Sequence, residues 1–98
     1  TQSALGNLEQ ALTFFEQYNQ LEKELYEAYP QNVGFKNGLA LSHQWLGWFY
    51  EDKLQNMDKA KEHYRQSKVL LAELVGNFPN YVMFKKNLDW VEGRHSGK

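Results

Sequence analysis

Residues 6–36, "GNLEQALTFFEQYNQLEKELYEAYPQNVGFK", lie over residues 55–85, "QNMDKAKEHYRQSKVLLAELVGNFPNYVMFK", without a gap. Identities fall at Asn7/Asn56, Ala11/Ala60, Gln17/Gln66, Leu21/Leu70, Glu24/Glu73, Leu25/Leu74, Pro30/Pro79, Val33/Val82, Phe35/Phe84 and Lys36/Lys85. Leu8/Met57, Phe15/Tyr64 and Tyr29/Phe78 add conservative exchanges. An offset of 49 residues therefore relates two copies of one unit. Units of that size cannot bury an apolar face alone, so a chain built from them is expected to stack them.

Apolar residues inside each copy keep helical spacing. They run Leu8, Ala11, Phe15, Tyr18, Leu21, Leu25 and Ala28, then Met57, Ala60, Tyr64, Leu70, Leu74 and Phe78. Asn7 and Asn56 stand at N-cap positions, where a side-chain oxygen takes an orphan amide of the first turn, and Gln10 follows Asn7 as in a capping box. Pro30 and Pro79 stop these helices, since proline lacks the amide proton and pushes its predecessor out of helical geometry. A further helix is expected from Val33 to Asp52, capped by Asn32, and another from after Pro79 to Glu92. The expected fold is all-α, one domain over residues 1–98, with helices near 7–29, 32–53, 57–78 and 80–93 and a frayed tail "GRHSGK".

The spacing His43-x2-Leu46-Gly47-x2-Tyr50, followed by Ala60-x3-Tyr64 and Pro79, resembles the tetratricopeptide repeat family, with an earlier partial copy at Ala11-x3-Phe15 and Pro30. His43 replaces the family's Trp, Tyr64 its Phe, and the period is 49 residues where the family has about 34. The surplus is about seven residues in each helix, close to two turns, which leaves the contact face pointing nearly where it did. The resemblance implies antiparallel hairpins stacked as a right-handed superhelix. It divides the chain into the second helix of one repeat (6–31), a complete repeat (32–79), the first helix of another (80–93) and a tail (94–98). It also explains Gly47 inside "HQWLGWFY", where glycine costs a helix about 1 kcal/mol: without a side chain there, the partner helix can approach closely. The face of Ala11, Phe15 and Tyr18 would lack its covering helix. Gly34 and Gly38 have GxxxG spacing, but Met83 and Asn87 replace them in the next unit and that motif's physics belongs to membranes, so they carry no expected role.

What the resemblance implies for function is a concave surface that grips a peptide or partner protein. Its positions fall on Leu41, Gln44, Trp45 and Trp48, with Glu51 and Asp52 further along and Trp90 on the last helix. The subgroup that holds a C-terminal carboxylate is a poor match, because Trp45 and Trp90 replace its asparagine and a lysine and Arg94 alone could correspond. An apolar or aromatic ligand segment fits better, and tryptophan is enriched among binding hot spots.

Other function classes find little footing. With 11 basic against 12 acidic residues and no cluster of about five or six like charges, a nucleic-acid partner is not expected. No apolar run approaches the length of a membrane span, so no membrane partner is expected either. Zero cysteines suit a reducing compartment, and the cytoplasm is the expected location. His43 takes a position that the resemblance turns toward the core and His95 lies in the tail, so these two and His63 are not expected to hold a metal, and Glu22/Glu24 and Glu51/Asp52 read as solvated faces or helix-end charges rather than an acid/base pair. With no Gly-rich phosphate loop, nucleophile elbow or HExxH, neither catalysis nor a cofactor is expected. The expectation is a protein-binding module cut from a larger multidomain protein. The alternative is a structural spacer or homo-oligomerising segment, whose two halves, at -3 over residues 1–49 and +2 over 50–98, would favour head-to-tail stacking.

Overall fold

The computed structural model describes residues 2–95, with side chains over 6–94. Four α-helices follow one another, α1 (Gln2–Ala28), α2 (Val33–Trp48), α3 (Met57–Asn77) and α4 (Val82–His95), and no strand occurs among the described residues. A π-helical segment, Phe49–Lys53, continues α2. Among the described residues no helix is long and apolar enough to cross a membrane.

The repeat is visible in the turns. Asn32 N–H donates to the Tyr29 carbonyl at 3.0 Å, and its counterpart Tyr81 N–H donates to the Phe78 carbonyl at 3.1 Å. Each proline thus sits in the same tight turn that reverses the chain. Asn32 caps α2 through Phe35 N–H at 3.0 Å, and Asn56 caps α3 through Lys59 N–H at 3.2 Å. Asn7 caps nothing: α1 begins at Gln2, so Asn7 lies inside the helix. The difference is local. Before Asn56 the chain leaves the π-helical segment through Gln55, a left-handed residue with φ 54°, which forces a new helix start. Nothing before Asn7 breaks the helix. At the other end, Gly93 and Arg94 belong to α4 rather than to a frayed tail, while residues 96–98 of that expected tail lie outside the described residues.

Helices pack chiefly on their neighbours in sequence, α1 on α2, α2 on α3 and α3 on α4. The molecule measures 47 × 33 × 19 Å, and its thin dimension is about two helix diameters. The core lies along the α2–α3 hairpin and continues to α4, through Ala40, Leu46, Ala60, Tyr64, Leu71, Leu74, Leu88 and Val91. Three contacts set the hairpin register. Gly47 lies under the Tyr64 ring, Ser67 Oγ donates to the Ala40 carbonyl at 2.8 Å, and Lys36 Nζ meets Glu73 Oε1 at 2.6 Å. Ala60, one helical turn before Tyr64, is fully buried, as an alanine in a close helix crossing must be.

Ala11, Phe15 and Tyr18 are half-buried rather than bare, because that stripe of α1 turns toward α2 and Phe15 packs on Phe49 with ring centres 5.5 Å apart. Among the described residues, the large apolar side chains exposed on α1 are their neighbours Phe14 and Leu21.

Candidate functional site

Of the residues expected to meet a partner, Trp45 stands furthest out, at 47% exposure. It meets Trp48 edge-on, with ring centres 6.0 Å apart and planes at 88°. Trp48 is half-buried, rests edge-on against Phe49, and carries Lys53 Nζ 5.5 Å from its ring centre. The π-helical segment explains this arrangement: its wider turn follows Trp48 directly, buries Phe49 beneath the pair and brings Lys53 back over the indole. An apolar platform with a cation at its edge results. Leu41, one turn before Trp45, is half-buried. Gln44 is turned inward, with Oε1 buried and no hydrogen-bond partner among the described residues, so it belongs to the packing more than to the presented surface.

Trp90 belongs to a separate constellation. It is exposed on α4, packs edge-on against Tyr64 at 5.9 Å and carries the Arg94 guanidinium 4.9 Å from its ring centre. Arg94 Nη1 also donates to Glu51 Oε1 at 3.1 Å, and the Tyr64 hydroxyl donates to the same oxygen at 2.7 Å. Burial, and then the carboxylate it donates to, pushes the Tyr64 hydroxyl well above its ordinary pKa, which keeps it protonated as the donor. Glu51 is therefore committed to holding α3 and α4 against the π-helical segment, and is not a groove charge awaiting a ligand. Asp52 is exposed, 3.9 Å from Lys53 Nζ. The structure joins Trp45 to Trp48, and ties Trp90 to Tyr64, Arg94 and Glu51.

A histidine pair escaped the sequence reading. His43 on α2 and His63 on α3 place their Nδ1 atoms 3.0 Å apart. Their ring centres are 5.2 Å apart, longer than the nitrogen separation by about two ring radii, so the nitrogens lie head-on between the rings. Such a contact holds one proton. Ser42 Oγ donates to the Leu39 carbonyl at 2.8 Å and so accepts from Asn19 Nδ2 at 2.7 Å. That Asn19 amino group also lies 3.4 Å from His43 Nε2, which must accept. His43 Nδ1–H then donates to His63 Nδ1. His63 stacks on the Tyr50 ring with planes at 5°.

Burial, the facing His63 and Lys23 pull the His43 pKa down to about 4, and burial lowers that of His63. Both imidazoles are neutral at neutral pH. Two nitrogens already bridged by a proton offer no chelate, and no group of three His, Asp or Glu side chains that could hold a metal occurs among the described residues. The side chain of His95 lies outside them. The pair forms one wall of a groove with Asn19, Lys23, Tyr26 and Glu27 of α1 and Gln66 of α3, enclosing about 330 Å³. The pair's two members come from different helices, and nothing in their separation along the chain announces the contact.

Comparison with protein-family models, curated proteins and solved structures finds no match.

Proposed function

We propose that this chain is a stacked helical-repeat module of tetratricopeptide type that binds an apolar or aromatic segment of a partner protein, with Trp45 and Trp48 as the anchor. The observation that carries this reading is the Trp45–Trp48 pair: a large indole nearly half exposed, braced edge-on by a second, with Lys53 over the latter. Large apolar side chains held rigidly at a surface lose little conformational entropy on binding, which is why such residues dominate interfaces. Leu41 extends the platform along α2. Trp90, forty-nine residues after Leu41 and its counterpart in the repeat, would add a second contact on α4. The packing of each helix mainly on its neighbour in sequence supports stacking of hairpins over a closed bundle, in which α1 would also close on α4. No catalytic role forms part of this reading.

A displayed library of random peptides selected on the chain tests it. Peptides that bind through the platform carry aromatic or aliphatic anchors, and Trp45→Ala weakens them about thirtyfold, as expected for a tryptophan worth about 2 kcal/mol. Binding also shields Trp45 from iodide quenching. Selected peptides that bind the Trp45→Ala, Trp48→Ala variant as well as the original chain would place the partner surface elsewhere.

A further inference from the structure

Four of the exposed apolar residues share a relation to the repeat that Tyr81 and Met83, whose counterparts Asn32 and Gly34 are exposed as well, do not. Phe14 and Leu21 on α1 and Tyr29 just beyond its end are 66%, 54% and 59% exposed, and Val82 on α4 is 62% exposed. Shifted by the repeat, they correspond to His63, Leu70, Phe78 and Val33, and all four of those are partly covered where α2 meets α3. His63 meets His43, Leu70 lies with Leu39 in one cleft, and Phe78 with Val33 in another. In sequence, α1 is thus a copy of α3 whose edge at Phe14 and Leu21 is bare, and α4 a copy of α2 that is bare at Val82 and Lys85, while Leu88, the counterpart of Leu39, is buried against the core.

The polar pin of the seam is copied too. Lys36 and Glu73 join α2 to α3 at 2.6 Å, and their counterparts Lys85 and Glu24 are the same residue types. Glu24 lies on the stripe Phe14, Gln17, Leu21, Glu24, which helical spacing puts on one face. Among the described residues Lys85 meets Asp89, one turn along α4, at 3.0 Å, and Glu24 accepts from Gln20 Nε2 at 3.0 Å, both exposed contacts that contribute little. Charge also favours the match, because α1 carries five Glu and one Lys.

We propose that α1 of a second copy of this chain docks on α4 in the register in which α3 docks on α2, with Glu24 of the second copy pairing with Lys85 and Tyr29 of the second copy covering Val82. The two faces lie on different helices, so the contact is heterologous and can propagate head to tail. Asp89 stands where the hairpin has the fully buried Ala40, and Tyr18 where Ser67 donates to the Ala40 carbonyl. A bulkier and more polar seam results, so the association is weak and reversible. The proposal needs only the repeat register and these bare edges, and it is independent of the Trp45–Trp48 platform.

Sedimentation of the 98-residue chain over about a hundredfold range of concentration tests it. The average mass rises with concentration and does not stop at a dimer. Lys85→Glu and Glu24→Lys each turn attraction into repulsion and weaken association about tenfold. An equimolar mixture of the two variants recovers it, since each presents the charge the other lacks. Leu21→Glu weakens association at least as much, and circular dichroism stays unchanged in every case because the altered positions are exposed. A chain that is monomeric at every concentration overturns the proposal. So does association that ignores Lys85→Glu and Leu21→Glu, or a mixture that associates no better than either variant alone.

Discussion

Gly47 and Gly38 sit on one helix and face opposite consequences from the same substitution. A Cβ on Gly47 would meet Cδ1 and Cε1 of Tyr64 at 2.5 Å. That ring cannot retreat: Tyr64 is fully buried, its hydroxyl is held by Glu51, and Trp90 packs against it. Gly47→Ala gains about 1 kcal/mol in helix propensity and loses more to overpacking, which costs about 1–3 kcal/mol in a tight core. A urea melt should show net destabilisation of up to about 2 kcal/mol on those figures. At Gly38 the Cβ would meet the carboxylate end of Glu22, a half-buried flexible side chain able to swing away. Gly38→Ala should therefore be neutral or stabilising by up to about 1 kcal/mol. Equal effects at the two positions would refute the close approach of α3 at Gly47. The GxxxG spacing around Gly38 had suggested no role; what it has is a contact with α1, through a side chain that no pattern in the sequence assigns to it.

The helix ends separate the two copies of the repeat at the scale of whole elements. Asn56 and Asn7 are the same residue at the same repeat position, yet only Asn56 begins a helix. Asn56→Ala should cost about 1 kcal/mol, as loss of a cap does, whereas Asn7→Ala, within α1, should be neutral or slightly stabilising through helix propensity. Paired thermal melts of the two variants check this, and comparable losses would contradict the helical course of Gln2–Gly6. The π-helical segment is the other departure at this scale. Periodicity carried the second helix to Asp52 and the chain keeps winding to Lys53, but the wider turn after Trp48 re-aims the side chains beyond it. Tyr50 and Glu51 owe their positions to that change of pitch, to which a 3.6-residue pattern is blind.

For the whole molecule, the histidine pair couples stability to pH because it joins α2 to α3 and, through Asn19, to α1. The groups facing it are Glu16 and Lys23 of α1, Tyr50 of the π-helical segment, and Lys59 and Glu62 of α3. In the folded chain His43 titrates at about 4, against 6.5 for the unreacted side chain. Between those values the unfolded chain holds more protons, so folding stability rises with pH across that window. The contribution is fully present above about 6.5 and is lost as pH falls toward 4. The midpoints of denaturant melts should fall as pH drops across this range, and His43→Gln, which keeps a donor and an acceptor without titrating, should flatten that dependence. Identical slopes in the two chains would remove the pair as its cause.

The sequence alone determined the repeat, the four helices, the two proline turns and the caps at Asn32 and Asn56, because each depends on residues within a few positions of one another. Gly47 was legible as a close approach for a related reason: a glycine inside an aromatic helix is costly unless something fills the space. Only the tertiary structure decided that Trp45 and Trp48 pair while Trp90 joins Tyr64 and Arg94, that Glu51 is consumed by a network, and that two histidines share a proton. Those outcomes depend on the axial shift and rotation of one helix against another. A shift of a single residue would exchange one partner for another while leaving the hydrophobic periodicity untouched, so no pattern along the chain could encode it.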